Sequence, residues 1–359
     1  MSSSPTDYPP EFGTLIGLVR HHSPTGREGE AVSWLVRRMA ELGFTKSSVD
    51  EVGNAFGVMG EGERRGVLLG HIDTVPGEIP VRLEDGTLHG RGTVDAKGPL
   101  AAFVDAVARV GPVPGWQLIV VGAVGEEGDS EGARHIAEWA PPEFVIVGEP
   151  SRWDRVTLGY KGSAETDITV RRPMQHSAAP GDTAPEAALS VWKAVTAWSA
   201  TVNEGRERVF DRLVPSLRGW SSGDDGFEAW ATLRLGVRFP PDLPPEAWYA
   251  GLKQLANGAQ IVPLGHATPA YRGEKNSPLT RAFLNAIRAT GGTPAYVFKT
   301  GTADLNIVGP RWGCPAVGYG PGDSALDHTP EERLSLEEFT RAVRVLEQMM
   351  RIALNPPAT

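Results

Sequence analysis

Val32, Leu35, Val36, Met39 and Leu42 recur at helical spacing over residues 28–42, and Gly43 follows as a stop. Three short apolar runs come next, at 67–69, 118–124 and 144–147, each leading into glycine or acidic residues. Continuous runs of this kind suit strands covered on both faces, although so few residues alone do not exclude buried helix. Residues 99–110 read as helix between them, and the alternation of strand and helix predicts an α/β layer with a mixed sheet. The character changes from about Ser163 to His266. There a strand-like 165–170 precedes a helix-like 185–200, an alternating 227–237 and a helix-like 245–257. That order predicts an α+β unit, residues 163–266, inserted into a catalytic α/β domain made of residues 1–162 and 267–359. Residues 278–290, the apolar 314–317 and a long helix over 336–354 resume the first pattern, and the chain before about Glu11 reads as a loose tail.

Composition narrows the class. The 359 residues suffice for two domains, and 40% hydrophobic with 22% charged residues is ordinary globular composition. Lys and Arg number 35 against 44 Asp and Glu, a net charge of −9 that disfavours nonspecific binding to nucleic acid or to an anionic membrane. Cys314 is the only cysteine, which rules out an intrachain disulfide and a cysteine-built zinc cage. No apolar run approaches a bilayer span, and residues 1–13 are polar and proline-rich, unlike a secretory signal. The expectation is a soluble, cytoplasmic protein.

The candidate chemistry sits just after the predicted strands, where ligands gather in α/β sheets. His71-Ile72-Asp73 follows the first run, and in an extended segment positions two apart face the same side. Gly90–Gly98 is a glycine-punctuated loop that presents Asp95 directly before a helix. Glu126-Glu127 follows the second run, Glu149-Pro150 the third, and Asp327-His328 supplies a late imidazole. Two histidines and three carboxylates are what a pair of divalent ions needs, and this donor set suits zinc or cobalt. One carboxylate bridges two such ions held roughly 3.5–4 Å apart, and the shared water becomes acidic enough to attack a carbonyl near neutral pH. One glutamate of the pair then binds metal while its neighbour moves protons.

These residues resemble the dinuclear-zinc aminoacylase, deacetylase and carboxypeptidase family of metallopeptidases, which includes acetylornithine deacetylase and succinyl-diaminopimelate desuccinylase. The markers are His71-x-Asp73, Gly92-x-x-Asp95-x-Lys97-Gly98, Glu126-Glu127, Gly148-Glu149-Pro150 and His328, in the family's order across essentially the whole chain. The resemblance implies Asp95 as bridging ligand, His71 with Glu149 at one ion, and Glu127 with His328 at the other. It implies that Asp73 holds the His71 ring by hydrogen bonding and that Glu126 is the general base. In the insertion, which the family uses as a lid and dimerisation domain, His176 matches a histidine that reaches the partner subunit's site and stabilises the oxyanion, worth about 10²–10³ in rate. Arg238 matches an arginine that grips a substrate carboxylate, and Gly301-Thr302 a substrate-binding loop. Two departures weaken the match in the insertion: the segment before His176 lacks the glycine often found there, and Thr183 replaces a frequent Asn.

Within the family, the compact length and the stretch from Lys299 to Asn306 look most like the hydrolases that release lysine or ornithine from the C-terminal glutamate of a small acidic amino-group carrier protein. A homodimer with two divalent ions, zinc first and cobalt second, is implied. So is a basic patch for the carrier, with Lys161, Arg171 and Arg172 as candidates. The competing readings are an N-acetyl-lysine or N-acetylornithine deacetylase, a metal-dependent dipeptidase or carboxypeptidase, and a non-catalytic protein that binds amino acids or the carrier. Taken singly, the motifs have bland readings. His71-x-Asp73 alone is a hydrogen-bonded loop pair, Glu331-Glu332 and Glu337-Glu338 are solvated surface, and Arg91 and Lys97 shape their loop.

Overall fold

The computed structural model describes residues 9–354 apart from 177 and 179, so most of the expected loose tail, residues 1–8, lies outside the described residues. Contacts divide the chain into two compact units. The first comprises the described residues of Met1–Gly159, Gly273–Val297 and Ala303–Thr359, and the second comprises those of Tyr160–Arg272 and Phe298–Thr302.

The first unit is built on a mixed sheet whose neighbours run Lys46–Val49, Ala55–Met59, Trp116–Ala123, Arg64–His71, Phe144–Gly148, Ala316–Gly318 and Arg155–Tyr160. Its centre is parallel: Arg64–His71 pairs in that sense with both Trp116–Ala123 and Phe144–Gly148. Val67, Leu68, Leu69, Val120, Val121, Val145 and Ile146 are buried, as continuous apolar runs require when helices cover a sheet. At the carboxyl ends the register aligns Gly70 with Gly122 on one side and with Gly148 on the other. Helix Lys97–Val110 lies against this glycine row. A Cβ at Gly70 would stand 3.1 Å from Leu100 Cβ, and one at Gly148 would stand 2.9 Å from Phe103 Cε2. Bare backbone there lets the helix approach closely, which brings the loop before it to the strand ends. Helix Gly29–Glu41 packs on Lys46–Val49 and Ala55–Met59, and the long Leu336–Leu354 packs on Lys97–Val110 and Pro278–Ala289. Helix Gly13–Arg20, which follows the expected tail, buries Leu15, Ile16 and Leu18.

The second unit has an antiparallel sheet ordered Val214–Asp224, Glu228–Phe239, Gly162–Pro173 and Gln260–Thr268. Ala231, Leu233, Leu235 and Val237 alternate inward and share one buried cluster with helices Ala184–Val202 and Pro245–Leu255. Thr183 and Glu186 form a capping box at the start of the first of these helices. Trp198 stacks on Trp248 at 5.5 Å, so these tryptophans serve packing. Among the described residues no helix is long and apolar enough to cross a membrane.

Candidate metal centre

Asp95 occupies the loop that enters helix Lys97–Val110. The glycines of this loop fold it back on itself. Gly92 sits at φ +86°, Gly98 donates its N–H to the Gly92 carbonyl at 3.2 Å, and a Cβ at Gly98 would stand 2.2 Å from the Thr93 oxygen. His71 closes strand Arg64–His71, and its Nε2 lies 3.1 Å from Asp95 Oδ1. His328 Nε2 lies 2.9 Å from the other oxygen, Asp95 Oδ2, and 3.0 Å from Glu127 Oε1. The two oxygens of one carboxylate thus face two different imidazoles, which is the arrangement a bridging ligand needs. The donor atoms of Asp95, Glu127 and His328 fall within 4.8 Å of one another, close enough to hold an ion. Buried Glu149 follows directly on strand Phe144–Gly148 and interacts electrostatically with Asp95 and His71, but among the described residues it is not drawn into a three-donor group at that spacing.

Asp73 organises the surroundings, by a route partly different from the one expected. The His71 ring is held through the backbone of residue 73: Nδ1 donates to its carbonyl at 3.0 Å, with the carboxylate farther off at 3.4 Å. That bond leaves Nε2 as the lone-pair donor of the neutral ring. The fully buried Asp73 carboxylate accepts instead from Glu126 N and Glu127 N, both at 3.1 Å, and from Thr25 Oγ1 at 2.7 Å. It therefore sets the turn that carries the glutamate pair.

The electrostatics describe a site short of positive charge. Burial pushes the Glu126 carboxyl well above the usual carboxylate range, with His71 opposing and Glu149, Asp304 and Glu127 adding to the rise. Burial likewise lifts Glu149 well above its usual range, helped by Asp95. The Asp95 hydrogen bond raises the His328 imidazole to about 9, against some burial, and Glu127 contributes. His71 is raised well above its ordinary value because the Asp73 and Asp95 hydrogen bonds overcome a larger cost of burial than either alone. Carboxyls that draw protons onto themselves and onto two imidazoles form a field that divalent cations neutralise. The borderline-to-hard donor set fits zinc-like ions, so the residues present fit a metal centre.

The remaining expected site residues belong to the second unit. Arg238 Nη1 donates to Thr302 Oγ1 at 2.6 Å, and that hydroxyl donates to the Lys161 carbonyl at 2.9 Å, so Arg238 and Thr302 are brought together. Gly301 adjoins them with open space on its Cβ side. His176 lies on an exposed loop, where its Nδ1 accepts from Ala178 N at 3.2 Å.

Two readings change with the structure, and one further residue joins the site. Glu332 is fully buried rather than solvated: its Oε1 accepts from Val94 N at 2.8 Å and Asp95 N at 3.0 Å, and its Oε2 accepts from Arg91 Nη1 at 2.9 Å. Only its partners, far away in sequence, reveal this. Lys161 is also buried, and its Nζ donates to the carbonyls of Val209, Phe210 and Arg212, so it anchors a turn rather than a basic patch. Asp304, unremarked within its stretch, is buried beside the cluster and raised to about 7 by burial, with Asp73 adding and His71 and Ser130 opposing. The preceding Gly301-Thr302 was the nearest sequence signal for it.

Residues 67–352 match Peptidase family M20/M25/M40, and the chain belongs to this family of metal-dependent hydrolases. It is 44% identical over 340 residues to the LysW-lysine hydrolase of Deinococcus radiodurans, covering 90% of this chain and 91% of that one. It is 42% identical over 334 residues to a putative LysW-lysine/LysW-ornithine hydrolase of Thermococcus kodakarensis, covering 92% and 89%. The solved structure of the aminopeptidase PepT from Bacillus cereus superposes with a TM-score of 0.77 at 18% identity, covering 96% of this chain and 98% of that one, and so shares its fold.

Proposed function

We propose that this protein hydrolyses the amide that joins lysine or ornithine to the C-terminal glutamate of a small acidic amino-group carrier protein. The near-full-length similarity to LysW-lysine and LysW-ornithine hydrolases supports this substrate class. The observation that carries the chemistry is Asp95, with one carboxylate oxygen toward His71 and the other toward His328. We assign Asp95 as the bridging ligand, His71 and Glu149 to one ion, and Glu127 and His328 to the other, with zinc as the metal. Such ions, when bound, supply Lewis acidity that polarises an amide carbonyl and acidifies water near neutral pH.

Glu126 is the proton carrier in this scheme. Its backbone N–H donates to Asp73 Oδ1, and its carboxyl interacts electrostatically with His71 and Glu149. It takes a proton from the attacking water and returns it to the departing amine, whose lone pair must be protonated before it leaves. In the second unit, Arg238 and Thr302 with Gly301 form a carboxylate-binding corner, because a planar guanidinium suits bidentate recognition. His176 is assigned to the oxyanion, acting across a homodimer in which this unit serves as lid.

The test compares amine release from carrier-linked lysine, carrier-linked ornithine, acetyl-lysine and acetylornithine, for wild type and for Glu126→Gln. Carrier-linked substrates are expected to be cleaved far faster, and Glu126→Gln is expected to keep its metal while losing about 10²-fold or more in turnover. Faster cleavage of the acetylated amino acids would replace the carrier reading with a deacetylase. Binding of carrier without release would make the protein a binder. Normal turnover by Glu126→Gln would remove the general-base assignment.

A further inference from the structure

Asp95 and His328, which meet at 2.9 Å, come from two segments far apart in sequence: the loop of residues 90–98 and the segment of residues 323–332. Arg91 and Glu332 join them. Both side chains are buried, and Arg91 Nη1 meets Glu332 Oε2 at 2.9 Å. On one side, Glu332 Oε1 accepts the N–H groups of Val94 and Asp95, so it grips the backbone of the shared carboxylate. On the other, the same Arg91 Nη1 donates to the carbonyl of Thr329, the residue after His328, at 3.1 Å. Arg91 Nε donates to Gly77 O at 3.0 Å, which fixes the guanidinium plane, and Gly90 N donates to the Glu332 carbonyl at 3.3 Å.

His328 has a particular need of such support. Its φ is +61°, in the left-handed region, where a side chain with a Cβ stays only when its surroundings impose it. Its ring is also half exposed, so packing does not hold it. His71 is placed differently, at the end of a paired strand with its ring bonded to Asp73 O, and Glu149 directly follows another paired strand. Neither relies on Arg91 or Glu332.

We infer that the Arg91–Glu332 pair is a positioning clamp that sets the separation of Asp95 and His328, so that the ion of the Glu127 and His328 side depends on it through both Asp95 and His328, while the ion of the His71 and Glu149 side depends on it through Asp95 alone. Buried ion pairs are weak contributors to stability but can fix one arrangement among several, and groups that orient metal ligands commonly change affinity by about 10–100-fold when lost. This inference rests on the dinuclear reading proposed above.

Glu332→Gln separates charge from shape. The amide oxygen still accepts from Val94 and Asp95, but its NH₂ group faces the Arg91 guanidinium, donor against donor. Chelator-stripped protein is titrated with zinc against a chromophoric competitor, and the unfolding temperature of the metal-free protein is measured alongside. Wild type is expected to bind two equivalents. Glu332→Gln is expected to bind both unequally, one with little loss of affinity and the second about 10–100-fold more weakly. Two tight equivalents in Glu332→Gln, or equal weakening of both in step with a lower metal-free unfolding temperature, would overturn the clamp and leave the dinuclear reading standing. Wild-type protein that takes up no zinc would overturn both. Arg91→Lys, which keeps the charge but loses the fork, carries the same expectation if Glu332→Gln does not fold, and two tight equivalents in it would equally overturn the clamp.

Discussion

Asp73→Asn is the substitution that most directly tests how the glutamate pair is held. The carboxylate is fully buried, with Oδ1 accepting from Glu126 N and Oδ2 accepting from Glu127 N and Thr25 Oγ1. Asparagine has the same outline, but one of these positions becomes an NH₂ donor. The Thr25 hydroxyl can rotate to accept from it; a backbone N–H cannot, so whichever way the amide turns, either Glu126 N or Glu127 N loses its acceptor. Leaving one buried donor unpaired costs about 1–3 kcal/mol, and the other bonds weaken as their acceptor loses its charge, by about 1 kcal/mol more. The metal-free protein is therefore expected to lose about 2–4 kcal/mol of stability. Because Glu127 moves with that turn, metal affinity should fall about 10–100-fold. Urea unfolding of metal-free protein measures the first quantity, and zinc competition measures the second. Wild-type metal affinity with an unfolding free energy changed by less than about 0.5 kcal/mol would refute the role given to Asp73.

Three further outcomes follow from the packing. Gly148→Ala places a methyl 2.9 Å from Phe103 Cε2 and 3.2 Å from Gly70 Cα, so overpacking should destabilise by about 1–3 kcal/mol and weaken metal binding as helix Lys97–Val110 is displaced; calorimetry and zinc titration check both. Burial raises the Asp105 carboxyl from the usual 3.8 to about 6 despite the Thr14 hydrogen bond and the Arg38 and Arg109 charges. The folded state then holds this proton more tightly than the unfolded one, so stability falls as pH rises from about 4 through 6. Asp105→Asn removes that slope and should gain about 3 kcal/mol on wild type between pH 4 and 7, whereas parallel pH profiles would contradict it. Lys161→Met leaves the carbonyls of Val209, Phe210 and Arg212 without their buried donor and should cost about 2–4 kcal/mol, while carrier binding, measured by calorimetry, stays unchanged because Nζ points inward.

The elements legible in the sequence were those whose pattern is local. The run ending at Leu69 and the run over 118–124 are strands because covered sheets need continuous apolar segments, and helix Leu336–Leu354 has a long apolar stripe. Val214–Asp224 and Gln260–Thr268 were not legible: most of their residues are exposed, so no inward face repeats along them. Their pairing with neighbouring strands, rather than burial, makes them strands. The candidate donors His71, Asp95, Glu127 and Glu149 were readable because each ends or follows a strand or precedes a helix, and a sheet brings such positions to one edge. His328 instead lies in a turn between strands Ala316–Gly318 and Arg333–Ser335 and was readable only from its place in the motif order.

What escaped was the support behind those donors, and the reason is physical. A carboxylate is solvated or buried according to which partners reach it, and for Glu332 the partners lie more than two hundred residues away, at Arg91, Val94 and Asp95. Its neighbour Glu331 has a largely exposed side chain, so the dipeptide holds one residue of each kind with nothing local to separate them. Lys161 repeats the lesson with the opposite charge, since three carbonyls of a distant turn consume the donors that a patch would have offered. Metal-binding side chains must present a particular atom type and so leave a motif, whereas the groups that aim them need only a charge and a direction. Their identity is set by the fold, which is why changing Glu332 or Asp73 tests the fold's contribution to the centre, and changing His71 or Asp95 tests only its chemistry.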